Sequence, residues 1–579
     1  MPGMSTLQQQ LTDRLHARIA ALAPDADTSK IVVNKSKAGV SSDFQTAAAM
    51  QLAKVLRRKP RDIADELVAG LDVADLADVE VGGPGFIGFT LNEAALAGQL
   101  AGALTDDHHG IAQRSGTVVI DYSSPNVAKR MHIGHIRSTI IGDALRRMGL
   151  ALGYTVVGDN HIGDWGTQFG QLIHAYRNWL DEDSWNEDAV GELERLYVKF
   201  HQDAANDESL HDVARAELAK LQAGDPDNRA LWQLFIDSSR HAFDAIYDRL
   251  GVHFDVTYGE SHYDKRLQPL IDEMLESGVA EPSDGAVCVF FKDDDGEDTM
   301  TPFLVRKKDG AALYATSDIA TIEFRQAEWA PIQVVYVTDM RQQLHFQQLF
   351  ATAAKMGFDT DLRHVWFGMM SLPEGAMATR KGNVIRLVDL LDEAEGRARA
   401  MLDERLGGRD DFSSAELDEL ATIIGLGAVK YADLSNNPQT NIVFSFDKML
   451  AFEGNTAPYL QYTSARTHSL ARKAGEAGLT ADGATFVAAD AQDRELLLAV
   501  LGLGEAVAAA YDAGKPSTLA TFLYELAQRY HRWYAHCPVL KAPEPPRDVQ
   551  ISRLNLNRLV QRSLTSGLAL LGIRAPERM

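Results

Sequence analysis

Cysteine is almost missing from this chain. Cys288 and Cys537 are the only two in 579 residues, and neither belongs to a Cys-x-x-Cys pair. A disulfide framework is thereby excluded, a protein-bound zinc site is argued against, and a reducing compartment is favoured. Long apolar runs are missing as well: nothing approaches the roughly 18 residues of a membrane span, and no secretory apolar segment opens the chain. A soluble, cytoplasmic protein with no membrane partner is expected. Positive charge is in deficit, with 57 Lys and Arg against 81 Asp and Glu and a net charge of −24. That excludes a surface coated with basic residues for non-specific nucleic-acid binding, but not RNA contact through local patches. Internal repeats and low-complexity tracts are absent too. What remains is 45 % apolar and 24 % charged, a globular composition at a length that suggests three or four domains.

The chain is organised around residues 116–170. Thr117–Ile120 is a β-branched run that predicts a buried strand, stopped by Ser123, Ser124 and Pro125. After His135, the apolar residues Ile136, Ile140, Ile141, Ala144, Leu145 and Met148 keep one helical face until Gly149 and Gly153. Tyr154–Val157 reads as the next strand. The polar loop between the first strand and the helix therefore sits where open parallel sheets bind ligands. Its chemistry suits phosphate. A helix N-terminus offers free N–H groups, Gly134 lets a flat ring approach the backbone, and Lys129 adds a cation. His132 and His135 lie one turn apart and can face the same anion. A bare pair of histidines at a helix start is more often capping and solvation; the whole assembly favours phosphoryl or nucleotidyl transfer.

On the N-terminal side, Leu7, Leu11, Leu15, Ile19 and Leu22 predict a helix, Ala47–Leu56 and Ile63–Leu71 two more split by Pro60, and 79–89 a strand–turn–strand. Leu91–Leu104 reads as a helix that leads to a polar linker. Residues 171–280 are helical and charged, with Asp181–Asp188 and Gly224–Asp227 as loops. Strands follow at Ala286–Lys292, Phe303–Arg306, Val334–Val337 and His364–Met370, with helices entered at Leu313 and spanning Phe346–Lys355. From about residue 390 helices are expected at 388–402, 414–434, 449–472, 493–510, 518–536 and 548–571. Two basic patches stand out: Lys54–Arg61, and 528–579 with nine Lys and Arg against three acids. A charge run is usually a solvated face, and the aromatics of 522–536, which could stack unpaired bases, are at helical spacing more often core. Tyr314 and Asp318 are four apart and can share a helical face. An aspartate at a helix start is ordinarily a cap, yet a planar guanidinium also asks for a carboxylate with aromatic or polar walls.

Ser123-Ser124-Pro125-Asn126 through His132-Ile133-Gly134-His135, followed by Asn160-His161-Ile162-Gly163-Asp164-Trp165-Gly166-Thr167-Gln168-Phe169-Gly170, resembles the arginyl-tRNA synthetases. The four-residue histidine box alone is common to all class I aminoacyl-tRNA synthetases and some other nucleotidyltransferases. The resemblance continues in Ala49–Lys54, Gly83–Ile87, Phe452–Tyr462 and Leu570–Met579, so it covers nearly the whole chain. It implies a multidomain α/β protein. Residues 116–390 would form a class I, Rossmann-like, doubly wound parallel-sheet catalytic domain with a helical insertion at about 171–280. Residues 1–115 would form a small α+β N-terminal domain that contacts tRNA, and 391–579 an all-α anticodon-binding domain.

The resemblance also assigns roles. ATP would be held by Lys129, His132, Gly134, His135, Met377, Thr379 and Lys381, with His132, His135, Lys129, Arg380 and Lys381 catalytic. Arginine would be held by Asp121, Asn126, Tyr314, Asp318 and Gln342. Residues 375–383 fall where class I enzymes place a loop that closes over pyrophosphate, but here Ala376, Ala378 and Thr379 depart from its Lys-Met-Ser-Lys-Ser pattern. Arginyl enzymes commonly lack the second Lys and carry one just upstream of the histidine box, the position of Lys129. The implied partners are tRNA(Arg), L-arginine and ATP with its Mg2+, with no protein-bound metal, tRNA bound before arginine is activated, and a monomer in the cytoplasm. Two other readings stay open on the residues alone: a nucleotidyltransferase outside this family, and a noncatalytic RNA-binding relative, suggested by the altered loop.

Overall fold

The computed structural model describes residues 6–579 except 38, 309, 311–312, 372–384, 407–411, 482 and 541–544. Its centre is the strand β1 (Thr117–Asp121), buried on both faces because both faces are covered. Val118 and Ile120 pack into a core with Ile136, Ile140 and Ile141 of the helix α1 (Ile133–Ala151), and Val119 points the other way, towards Ile319 and Ile322 of α2 (Tyr314–Trp329). A period of two along the strand thus sorts its side chains between two layers of helix. β2 (Thr155–Asp159) flanks one side of β1. On the other lie β3 (Gln333–Asp339) and, after the helix α3 (Gln343–Lys355), β4 (Asp361–Phe367). The order is β4-β3-β1-β2 and every pairing is parallel. The chain leaves β1 towards β2 and later returns on the opposite side, which makes the gap between the ends of β1 and β3 a topological switch point. Parallel connectivity also brings the N-termini of α1 and α2 and the start of α3 to the carboxyl edge of the sheet.

Between β2 and α2 the chain builds an insertion with a core of its own. Helices Gln168–Trp179, Ala189–Ala204, Ser209–Gln222 and Pro226–Leu250 bury Phe169, Leu172, Leu196, Phe200 and Phe235. The acidic stretch expected as a loop is a short helix, Glu182–Glu187, because Asp181 caps its start and Asp188 caps the next one. A further helix, Asp264–Glu276, follows within the stretch expected to be helical, though its bounds were not picked out from the sequence. The strands Glu281–Ser283, Ala286–Lys292 and Asp298–Arg306 then pair only with one another, antiparallel. They do not resume the central sheet, so the inserted material runs past residue 280 to the start of α2.

The N-terminal region wraps helices Leu7–Leu22, Ala48–Leu56, Pro60–Ala69 and Glu93–Thr105 around a four-stranded antiparallel sheet. Pro60 begins a helix there, at a position where its missing N–H is no loss. The C-terminal third is helical. Two helices expected as continuous are broken: Phe446–Met449 is separated from Ala457–Glu476, which Thr456 caps and Pro458 opens, and Ala491–Val500 bends by 44° into Leu503–Ala513. No single helix among the described residues is long and apolar enough to cross a membrane.

This third grips α1. Arg137, 1 % exposed, donates to both carboxylate oxygens of the buried Asp433 at 2.8–3.1 Å and to the carbonyls of Gly368, Pro438 and Thr440. Lys430, on the same helix as Asp433 (Ser414–Leu434), donates to the carbonyls of Leu250 and Gly572.

Candidate active site

His132 is the N-cap of α1. Its Nδ1 accepts the N–H of Gly134 at 3.0 Å, while Nδ1 of His135 accepts the N–H of His132 at 3.1 Å, a reciprocal capping box made of two imidazoles. The capping role and an anion-binding role are therefore compatible. With Nδ1 engaged as an acceptor, each neutral ring carries its proton on Nε2 and offers that N–H outward. Burial, reinforced by the neighbouring imidazole and Lys129, lowers His135 to about 4, and burial with Lys129 also depresses His132. Both rings are neutral donors near pH 7, tilted 44° to one another with 4.0 Å between centroids. Gly134 lies in the first turn of α1. Lys129 is exposed, its ammonium 5.4 Å from the Tyr197 ring of the insertion. The segment that follows residue 384 is stitched to this box: Ile133 donates to Ile385, Leu387 donates to Met131, and His132 bridges Arg386 antiparallel. Met377, Thr379, Arg380 and Lys381 lie outside the described residues.

The loop that feeds α1 is strained. Ser123, Ser124 and Ala128 have φ of 73°, 50° and 63°, left-handed values that side chains other than glycine resist. Surrounding bonds hold them there. The Ser123 N–H donates to Ser138 Oγ, its hydroxyl meets Thr139 and Tyr247, the Ser124 N–H donates to Asn160, and the Ala128 N–H donates to Ser239. Pro125 and Val127 pair with Gly163 through two backbone bonds. A Cβ on Gly163 would lie 2.3 Å from Asn126 Oδ1, so only glycine lets the exposed Asn126 stand where it does.

The other end of the cleft is set by α2 and α3. Asp318 does not cap α2, whose N-cap is Leu313; it accepts a 2.6 Å bond from Nε2 of His345 and is about one-quarter exposed. Tyr314 stands 66 % exposed with its ring 5.7 Å from that of His345. Gln342 is exposed at the end of the turn Met340–Gln342 that follows β3.

Four further residues, not singled out from the sequence, belong here. Glu260 is pushed up to about 7, first by burial and then by the carboxylates of Asp318 and Asp164, with His161 opposing. Arg325 of α2 is fully buried and donates to Asp121 at 2.6 Å and to Asp159 at 2.7 Å. Tyr336 of β3 lies under that guanidinium, 5.3 Å away. A periodic sequence pattern reads such residues as core; only the presence of charge on a buried helix face, at Arg325, could have given a signal. From His135 the contacts run without a break through Thr139, Ser123, Ser124, Asp121, Arg325 and Tyr336, whose phenol is within electrostatic reach of Asp318.

Elsewhere, the two patches differ. Lys54, Arg57 and Lys59 are exposed, while Arg58 pairs with Glu66 at 2.6 Å. In the C-terminal patch, Arg529 and Arg532 pair with Glu495, Arg553 with Asp490 and Asp493, Arg574 with Glu419, and Arg562 donates to the carbonyls of Ala103, Leu104 and Asp106. Tyr530 and Trp533 are core residues, bonded to Asn557 and Asp493. Among the described residues the one grouping of metal-capable side chains is Asp490, Asp493 and Cys537, and Arg553 already donates to both carboxylates.

Comparison with known proteins agrees along the full length. Residues 5–91 match the arginyl tRNA synthetase N terminal domain, 99–446 the catalytic domain of class I (R) tRNA synthetases, and 460–579 the DALR anticodon binding domain. The chain is 41 % identical over 574 residues to an arginine–tRNA ligase of Fusobacterium nucleatum, covering 98 % of this chain and 99 % of the relative. It is 40 % identical over 593 residues to one of Alcanivorax borkumensis, covering 99 % and 100 %. Two solved structures superpose with TM-scores of 0.84: an arginyl-tRNA synthetase of Thermus thermophilus, 26 % identical over 99 % of this chain and 100 % of that one, and one of Plasmodium falciparum, 24 % identical over the whole of both.

Proposed function

The chain belongs to the arginyl-tRNA synthetase family of class I, and from that premise we propose how its cleft carries out the ATP-dependent attachment of L-arginine to tRNA. A carboxylate oxygen of arginine attacks the α-phosphorus of ATP in line. The bond to pyrophosphate breaks and arginyl-adenylate forms. The terminal ribose hydroxyl of the tRNA then attacks the activated carbonyl, and AMP leaves. No covalent bond to the enzyme is needed, so catalysis consists of positioning and charge stabilisation.

The observation that carries this reading is the locked pair of imidazoles at the start of α1. Two backbone N–H groups fix the rings with Nε2–H outward, beside the positive end of a 19-residue helix. Such donors need no reorganisation as negative charge builds on the phosphates. Lys129 adds a mobile cation from the other side. Gly134 leaves room for the adenine ring against the backbone. Met377, Thr379, Arg380 and Lys381 would close over the leaving pyrophosphate from a loop whose exit is tied to the box itself. At the far end, Asp318 and Tyr314 receive the guanidinium, with Gln342 alongside, while Asp121 and Asn126 take the α-ammonium and carboxylate groups. Mg2+ would arrive on the phosphates of ATP, which is how that ion usually reaches nucleotide sites.

The exposed cations at 54–59 favour a tRNA contact on the N-terminal domain. The C-terminal basic patch, largely paired within the protein, contributes less than its charge suggests. A cytoplasmic monomer that activates arginine only with tRNA bound completes the reading. Arginine-dependent exchange of labelled pyrophosphate into ATP tests it. Exchange is expected with tRNA(Arg) and not without it; no exchange under either condition would favour a noncatalytic relative.

A further inference from the structure

Asp121 and Asp159 are in register at the carboxyl ends of neighbouring parallel strands, on the face that Val119 presents to α2. Two like charges so placed repel. Arg325 answers both, with Nη2 at 2.6 Å from Asp121 and 2.7 Å from Asp159, and Nε at 3.2 Å from Asp159. With both carboxylates ionised, one guanidinium between them leaves a net charge of minus one; burial and Asp121 raise Asp159, and Arg325 opposes the rise. The cluster is not saturated either: Asp159 Oδ1 and His161 Nδ1 are buried without a partner. Of the two carboxylates only Asp121 reaches the cleft, 7 % exposed, with Oδ1 held at 3.0 Å by the Ser124 hydroxyl.

We propose that Arg325 is a positioning residue which, shared with Asp159, only half-neutralises Asp121 and so leaves the strand ends one unit of negative charge for the α-ammonium group of the amino acid. The inference rests on the reading of Asp121 given above. Asp159 is wholly buried and touches no substrate; it acts by drawing on the charge of Arg325. Without Asp159, the guanidinium would belong to Asp121 alone and cancel it.

A role limited to pinning α2 to the sheet would affect every ligand alike, whereas a charge balance affects only the ammonium. The test compares the KM for arginine in tRNA charging with the inhibition constant of 5-guanidinopentanoate, which keeps guanidinium and carboxylate but lacks the α-amino group. In Asp159→Asn the preference for arginine over this analogue should fall about tenfold or more, with the analogue and ATP changing by less than about twofold. The double variant Asp159→Asn with Arg325→Gln restores a charge of minus one, and the preference should return to within about threefold of the parent. Equal weakening of both ligands in Asp159→Asn overturns the proposal, as does a double variant that discriminates worse than the single one. Should the single variant fail to fold by circular dichroism, loss of preference in the double overturns it. Asp121→Asn separates the two levels. If it leaves the preference intact, the reading of Asp121 itself fails; if it abolishes the preference while Asp159→Asn does not, only the present proposal falls.

Discussion

Replacing Glu260 by Gln is expected to remove a pH dependence from arginine binding. The carboxyl sits near Asp318, at the end of the cleft proposed for the guanidinium, and is lifted from 4.5 to about 7. At about 1.4 kcal/mol per pH unit, its charged form is disfavoured by roughly 3 kcal/mol in the empty site. A guanidinium arriving beside Asp318 supplies the missing positive charge and expels the proton. If arginine binds only next to the ionised form, its KM is multiplied by one plus the ratio of protonated to ionised Glu260. That factor is about eleven at pH 6 and about 1.1 at pH 8, so the KM should fall about tenfold across this range while the KM for ATP stays level. His135 does not produce such a slope, since burial holds it near 4.

The stability of the empty enzyme gives a second readout with a definite sign. A carboxyl whose folded value is raised contributes stability that is complete below about 4.5 and is lost as the pH rises through 7. Arginine should therefore raise the melting temperature more at pH 8 than at pH 6. Steady-state charging and thermal shift, each at several pH values, measure both effects. A KM that is level from pH 6 to 8, or the same slope surviving in Glu260→Gln, would refute the argument.

Asp318→Ala should raise the arginine KM by two orders of magnitude or more with ATP binding preserved, in line with a charged hydrogen-bonding partner worth about 3 kcal/mol; unchanged arginine affinity would remove Asp318 from the site. Lys129→Ala should depress adenylate formation more than Lys381→Ala, measured by pyrophosphate exchange with tRNA present, and equal losses would argue against Lys129 standing in for the missing loop lysine. Gly163→Ala should force the exposed Asn126 side chain aside at little cost in stability and raise the arginine KM, read by thermal melting and charging kinetics. Pairing is the thing tested there: a variant with unchanged kinetics would mean that Asn126 is free to move without consequence.

The central unit was legible because its signals are local and repeat with a clear period. Thr117–Asp121 alternates between two cores, and the helix from Ile133 keeps its apolar face, so strand, loop and helix could be placed within a residue or two. Parallel connectivity then brings Asp121, His132, Tyr314, Asp318 and Gln342 to one edge without any distance being known. Boundaries were less legible where the deciding residue is a cap or a short break. Asp181 and Asp188 turn an acidic loop into a helix, and Thr456 and Pro458 restart one. The strands 281–306 have ordinary strand composition, and nothing local distinguishes an antiparallel sheet in an insertion from a return to the main one. Glu260 and Arg325 were missed for a different reason. Their importance comes from burial beside charges 50 to 200 residues away, a property of the folded chain and not of any window of sequence.

The grip of the C-terminal third on α1 makes the enzyme hard to dissect. A truncation after the last parallel strand would keep every residue of the histidine box, yet strip Arg137 of Asp433 and of the Pro438 and Thr440 carbonyls. The same cut uncovers Arg137 and the apolar side of α1 that the C-terminal helices bury, two residues from His135. Grafting a foreign anticodon module onto this catalytic half meets the same obstacle: the graft must bring its own acid to that spot, or the imidazoles lose their footing.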